Sequence, residues 1–377
     1  MQKRFKNMTG YEIDTLSESY NLTDGHAFRP WSPAEEEIIN HSAQLFKKNN
    51  RQMQAQLEAD YIRDFLSLGK QTLNTEEVGY LMCFTASMAF EVVANYLRLN
   101  NLTMSLIEPC FDNLADIFKR HEIPMQPFGD HYLEADAEEF ADFLGSITSD
   151  VICLVTPNNP TGTVLSEENL RSLVGFCKAN NKLLILDNCF RAYMPRHEVY
   201  DQYRIVLNAD IDFIMIEDTG KTWPTVEIKA PFFSISKARG LYDRIYDIYT
   251  DFLLHISPFG IKLVHEFINL SRQDDLAYVH QVTKTNRDAL YENLKGTFLT
   301  PIEKQFASMA WLRIENGMTG FEVKQILDEH GVFILPGDYF YWSDKSLGSH
   351  FIRVALSRDP VLFANAVSLM GNICRQM

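Results

Sequence analysis

Through the middle of the chain, short apolar runs alternate with stretches in which apolar positions recur every three or four residues. Residues 78–84 read as a strand, 86–99 as an amphipathic helix, 104–108 as a strand and 112–121 as a helix. The run 151–155 is a further strand followed by a helix over 166–180, and two more apolar strands end at Asp187 and Glu217. Strands separated by helical patterns of about 10–15 residues imply βαβ units and a largely parallel sheet. Beyond them, 257–294 predicts a long, interrupted helical stretch. Strands over 309–314, 332–335 and 351–357, with helices over 320–330 and 360–375, make an α+β set of their own. At the other end, residues 1–33 are rich in turn residues and are expected to be irregular, an arm lying over another part of the fold. The first helix begins at Ser32-Pro33 and runs through the late forties. The expected organisation is an arm over 1–33, a large domain over 34–290 and a small C-terminal domain over 291–377.

Composition narrows the function classes. A net charge of -15 argues against nucleic acid or an anionic membrane as the main partner, because either needs a basic face. The six cysteines are scattered without metal or redox spacing and several lie inside apolar runs, so they read as reduced core thiols and no metal site is expected. The N-terminus lacks an apolar signal core, and no apolar run is long enough to span a bilayer. A soluble, cytoplasmic protein is expected.

The chemistry gathers at strand ends. Asn159-Pro160-Thr161-Gly162 follows one apolar strand, Asp187 ends the next, and Lys221 stands in the polar turn after the third, with Lys229 eight residues on. Open α/β sheets place their ligands at such strand ends. A lysine there suits a Schiff base to an aldehyde. The cofactor that uses this set is pyridoxal 5'-phosphate: lysine for the aldehyde, carboxylate for the pyridine nitrogen, amide for the ring oxygen. Thr85-Ala86-Ser87 open a helix directly after a strand, where free N–H groups and the helix dipole suit the phosphate, and Lys229 adds charge.

The order of Asn159-Pro-Thr-Gly, Asp187 and Lys221, followed by Gly331-Val332, Pro336-Gly337 and Arg353 in Phe-Ile-Arg-Val-Ala, resembles the fold-type I pyridoxal-phosphate enzymes, the aspartate aminotransferase superfamily. The resemblance implies a large domain built on a mostly parallel seven-stranded sheet flanked by helices, a smaller α+β domain, and a homodimer. It also implies that Phe111 stacks on the cofactor ring and that Arg353 grips a substrate α-carboxylate. A rival lysine, Lys237, sits in a Ser-Ile-Ser-Lys-Ala-Arg-Gly box, but its nearest arginine, Arg244, falls at +7, whereas Lys221 has Lys229 at the family's +8 position. Two departures stand out. Phe190 occupies a position where most aminotransferases have tyrosine, and Asp218 replaces a serine that usually binds phosphate. An anion there is expected to turn toward a cationic substrate.

Thr9-Gly-Tyr-Glu12, Asn21-Leu-Thr-Asp24-Gly25-His26-Ala27, Phe111-Asp-Asn-Leu-Ala-Asp and Ile216-Glu-Asp-Thr-Gly-Lys221-Thr-Trp-Pro-Thr together resemble the pyridoxal-phosphate-dependent L-arginine oxidases/hydroxylases that serve enduracididine-type pathways. That resemblance implies an arm folded over the site, with Thr9, Glu12 and Asp218 holding the guanidinium of L-arginine or a close guanidino analogue. It places Asp24 and a catalytic His26 near the reacting carbons. The implied reaction uses dioxygen, without metal or flavin, and gives 2-oxoarginine and/or 4-hydroxy-2-oxoarginine with ammonia and hydrogen peroxide. The alternative on the same scaffold is an aminotransferase, or an arginine-cyclising enzyme, acting on a cationic amino acid.

Overall fold

A computed structural model describes residues 7–47, 54–302, 304 and 307–377. Strands β1 (Val78–Met82), β2 (Met104–Glu108), β3 (Met125–Gly129), β4 (Val151–Val155), β5 (Leu183–Asp187), β6 (Phe213–Glu217) and β7 (Phe232–Ser236) form one sheet in the order β1-β7-β6-β5-β4-β2-β3. Pairing is parallel from β3 through β6; β7 alone runs antiparallel to both its neighbours. Every residue of β2, β4, β6 and β7 is buried, which is why β4 is an unbroken apolar run in the sequence and β6 is apolar up to its last residue, Glu217. A second, antiparallel sheet joins β8 (Leu299–Ile302), β9 (Met309–Ile314), β10 (Leu335–Pro336) and β11 (Phe351–Ala355) in the order β10-β11-β9-β8.

Each sheet has its own core. The helix Ala277–Leu294 serves both, giving Val279 to the first and Leu290 and Leu294 to the second. Among the described residues no helix is long and apolar enough to cross a membrane. All six cysteines are buried and free.

Several local expectations are corrected. The arm is not irregular throughout: Met8–Asp14 is a helix, capped by the Asn7 side chain on the Gly10 N–H. The first long helix divides into Pro33–Asn40 and Ser42–Lys47 around His41, and its expected end in the late forties lies outside the described residues. The 257–294 stretch breaks at Asp275 and Leu276, both in the left-handed region, giving Pro258–Asp274 and Ala277–Leu294. The expected strand over 332–335 shrinks to Leu335–Pro336, because Val332 closes a helix end on the Leu327 carbonyl and Phe333 pairs with the arm. Strands β3 and β7 escape the sequence pattern: β3 is a half-exposed edge carrying Pro127, and β7 follows a loop instead of a helix.

The arm is woven into the second sheet. The Leu22 N–H donates to the Phe333 carbonyl at 2.9 Å, the Ala355 N–H to the Leu22 carbonyl at 2.9 Å, and the Phe28 N–H to the Ser357 carbonyl at 2.9 Å, while Leu22 enters the second core. The Ala27 N–H reaches across to the Gly220 carbonyl at 3.0 Å. The arm thus bridges both sheets directly over the turn that carries Lys221.

Candidate active site

Parallel register decides which side chains meet. Val155 pairs with Asp187 and Asp187 with Ile216, so the polar segments after β4, β5 and β6 leave the sheet along one edge. Strand β1 runs the same way and delivers Thr85, Ala86 and Ser87 to that edge. Because β7 is antiparallel and Phe232 pairs with Glu217, Lys229 arrives there too. Lys237 follows β7 and emerges at the opposite end of the sheet, where its ammonium donates to the Glu76 carbonyl at 2.8 Å.

A cavity of about 270 Å³ opens at this edge, between the two sheets and beneath the arm. Thr9, Glu12, His26, Thr85, Ala86, Ser87, Phe111, Asn159, Asp187, Asp218, Lys221, Lys229 and Arg353 all line it. Asp24 does not; it stands behind His26. The sequence reading missed Gly25, Phe90, Asn113, Leu114, Val155 and Cys189, and it noted Phe190 only as a departure. Most of these are small or apolar and carry no chemical signature. Asn113 was legible only as the second residue of a helix beginning just after Phe111.

Burial and charge tune the polar set. Asp187 is half-buried at the end of β5, and desolvation raises its carboxyl above the ordinary range despite the Cys189 thiol and N–H, the latter donating to Oδ1 at 2.9 Å, and the charge of Lys221. The Lys221 ammonium lies 5.7 Å from the centre of the Phe190 ring. Lys229 donates to His26 Nε2 at 2.9 Å, and His26 Nδ1 donates to Asp24 Oδ1 at 2.7 Å. Burial, then the charge of Lys221, lowers the His26 pKa, so the ring is neutral and its single proton is on Nδ1. Burial alone would raise Asp24, but the hydrogen bonds from the His26 ring and backbone N–H, with the charge of Lys221, bring it well below the usual range. Asp218 is likewise held down against burial by Lys229 and Lys221, and its Oδ1 accepts from the Gly220 N–H at 2.9 Å.

Gly220 sits where these groups converge. A Cβ there would lie 3.0 Å from Lys229 Cδ, 3.1 Å from His26 Cδ2 and 3.4 Å from Asp218 Oδ1.

At the other end of the cavity Arg353 is fully buried. Its Nη1 donates to Asn159 Oδ1 and its Nη2 to Glu12 Oε1, both at 3.1 Å, and Nη2 also reaches the Thr23 carbonyl. Its Nε is a buried donor with no partner among the described residues. Desolvation pushes the Glu12 carboxyl up to about 7, although the charge of Arg353 opposes the shift. Glu12, expected to face a substrate guanidinium, is thus engaged with the arginine expected to face the substrate carboxylate.

The donor set fits pyridoxal 5'-phosphate. Thr85 Oγ1 caps the Met88 N–H at 3.1 Å, and the Ala86 and Ser87 N–H groups, in the first helical turn, have no intrahelical acceptor. With Lys229 nearby they suit a phosphate. Asp187 presents its carboxylate to the cavity, and the Asn159 amide, whose oxygen is taken by Arg353, keeps its NH2 to donate.

Comparison with known proteins agrees with this geometry. Residues 16–368 match the family described as aminotransferase class I and II. Among characterised proteins, the chain is 35% identical over 255 residues to LL-diaminopimelate aminotransferase of Parabacteroides distasonis, covering 62% of this chain and 60% of that one. It is 23% identical over 225 residues to histidinol-phosphate aminotransferase of Methanococcus maripaludis, covering 59% and 55%. These alignments span less than two thirds of either relative. Among solved structures, MppP soaked with the product 2-ketoarginine superposes with a TM-score of 0.85 at 31% identity, over 93% of this chain and 99% of that one. Aspartate aminotransferase of Thermus thermophilus with maleate gives 0.79 at 13% identity over 98% and 97%, a likeness of fold alone. With one family matched over nearly the whole length and its polar set gathered around one cavity, the chain belongs to the class I and II aminotransferases, pyridoxal 5'-phosphate enzymes of the aspartate aminotransferase-like fold type I.

Proposed function

We propose that the protein oxidises L-arginine with dioxygen, giving 2-oxoarginine and/or 4-hydroxy-2-oxoarginine with ammonia and hydrogen peroxide. The observation that carries this reading is the arm, which brings Glu12 and His26 into the cavity that holds Lys221. A carboxylate shielded from water suits a guanidinium, whose planar fork of donors needs acceptors once desolvated. The similarity to MppP, a structure soaked with its product 2-ketoarginine, supports the same substrate class.

In this reading Lys221 holds the cofactor aldehyde, Asp187 faces its ring nitrogen, Asn159 its ring oxygen, Phe111 its face, and Thr85, Ala86, Ser87 and Lys229 its phosphate. When bound, the cofactor withdraws electrons from the substrate and makes its α-hydrogen acidic. Lys221 Nζ takes that proton. Arg353 binds the α-carboxylate through the unpartnered Nε and the Nη2 now shared with Glu12. The incoming carboxylate thereby displaces Glu12, which, with Thr9 and Asp218, turns to the guanidinium. Glu12 is better placed for this than Asp218, whose strongest charge partners are Lys229 and Lys221. His26, neutral and oriented by Asp24, offers Nε2 as a proton acceptor near the reacting carbons once Lys229 turns to the phosphate.

The similarity to diaminopimelate aminotransferase favours a second reading, transamination of a cationic amino acid. Oxygen uptake with L-arginine, combined with mass analysis of the product, separates the two. Formation of the 2-oxo acid consumes one dioxygen and one water, and releases ammonia and one hydrogen peroxide. Turnover that requires 2-oxoglutarate and consumes no oxygen would replace the oxidase with the aminotransferase.

A further inference from the structure

Arg358 lies just beyond β11 and is buried, yet no carboxylate pairs with it among the described residues. All its hydrogen bonds go to main-chain carbonyls. Nε donates to Asn21 at 2.7 Å, Nη1 to His26 and to Ser357 at 3.0 Å each, and Nη2 to Asp24. The guanidinium carbon sits 5.1 Å from the centre of the Phe28 ring. Burial brings its pKa down to about 10, with Asp24 opposing, so the group remains charged at neutral pH.

The ends of this arm segment have other attachments, at Leu22 to Phe333 and Ala355, and at Phe28 to Ser357. Between them the carbonyls of Asp24 and His26 are both taken by Arg358. A Cβ at Gly25 would stand 3.1 Å from Met309 Cε and 3.8 Å from Arg353 Nη1, so the segment passes close above the site with little room to move.

We propose that Arg358 is a positioning residue: by holding the Asp24 and His26 carbonyls in one planar fork, it fixes the Asp24–His26 pair at the cavity. Its consequence for turnover rests on the reading that His26 works on bound arginine, whereas its consequence for the geometry of His26 does not. Only a rigid fork spans these carbonyls at once. A lysine reaches some of them and a methionine none.

The test compares wild type, Arg358→Lys and Arg358→Met as cofactor-loaded enzymes. The first readout needs no substrate: ring-nitrogen NMR of 15N-histidine-labelled protein, with the His26 signals assigned through His26→Gln. Wild type should show a neutral ring protonated on Nδ1. Arg358→Met should lose that fixed tautomer and regain an ordinary histidine titration while keeping the cofactor absorbance, and Arg358→Lys should fall between. The second readout is turnover of arginine. A misplacement of about 1 Å costs on the order of a hundredfold in rate, so kcat should fall by that order in Arg358→Met with KM changed only a few-fold, and Arg358→Lys should recover part of the loss. An unchanged His26 tautomer in both variants overturns the proposal. So does joint loss of cofactor absorbance and His26 signal that lysine does not restore, since that marks a role in folding alone. Should wild type fail to turn over arginine, the functional reading falls while the NMR comparison still decides the role of Arg358.

Discussion

Replacing Glu12 with glutamine tests the proposed guanidinium pocket. In the closed cavity its carboxyl is raised from 4.5 to about 7, which at 1.36 kcal/mol per unit corresponds to roughly 3 kcal/mol of burial that Arg353 leaves uncompensated. An arriving guanidinium supplies the missing partner. Truncating one side of a buried charge pair costs about 2–5 kcal/mol, roughly thirty-fold to several thousand-fold in binding. The arginine constant should rise by that factor at pH 8 in Glu12→Gln while cofactor affinity stays put. The sign of the pH effect follows from the direction of the shift. With the arm closed and no arginine, Glu12 keeps its proton up to about pH 7; with the arm open it loses that proton near 4.5. Closure without substrate is therefore favoured at low pH and loses this contribution as pH rises from about 4.5 through 7. Arginine needs the anion, so its binding to wild type should weaken about tenfold per unit as pH falls below 7, and that limb should vanish in Glu12→Gln. The assay is titration of the cofactor absorbance with arginine across pH 5.5–8.5, with lysine and norleucine as controls lacking the fork. Retention of the acid limb in the variant, or equal binding of norleucine by wild type, would refute the guanidinium pocket.

Lys221→Ala should abolish covalent trapping of the cofactor by borohydride, and Lys237→Ala should not, because Lys237 is at the far end of β7; peptide mapping after reduction reads the site directly. Asp187→Asn should retain cofactor but slow proton abstraction by about 3 kcal/mol, on the order of a hundredfold, since a neutral amide no longer favours the protonated ring; deuterium exchange at the substrate α-carbon measures it, and an unchanged rate would assign ring protonation elsewhere. Gly220→Ala should weaken cofactor binding and destabilise the fold by about 1–3 kcal/mol, because its methyl meets Lys229 and His26 at 3.0 and 3.1 Å; thermal melts with and without cofactor test this, and a wild-type melt in both states would show that the pocket has room.

What was legible in the sequence is what local chemistry imposes. The runs ending at Val155, Asp187 and Glu217 announce buried parallel strands, and a polar residue beyond such a run can only emerge at the sheet edge. Thr85 before an amphipathic stretch marks a helix start without knowledge of its partners. The arm helix was invisible because seven residues with only Met8 and Glu12 buried show no period; it is anchored by a remote group, Asp112, whose Oδ2 accepts the Met8 N–H at 2.8 Å. The direction of β7, which carries Lys229 into the site and Lys237 away from it, depends on pairing with β6 and β1 and leaves no mark on either lysine's neighbours. Tertiary structure alone decided that Glu12 meets Arg353, that His26 meets Lys229, and that Arg358 grips the arm. The first two pairings join side chains hundreds of residues apart, and the last joins a guanidinium to backbone carbonyls, which every residue possesses and which no sequence pattern distinguishes.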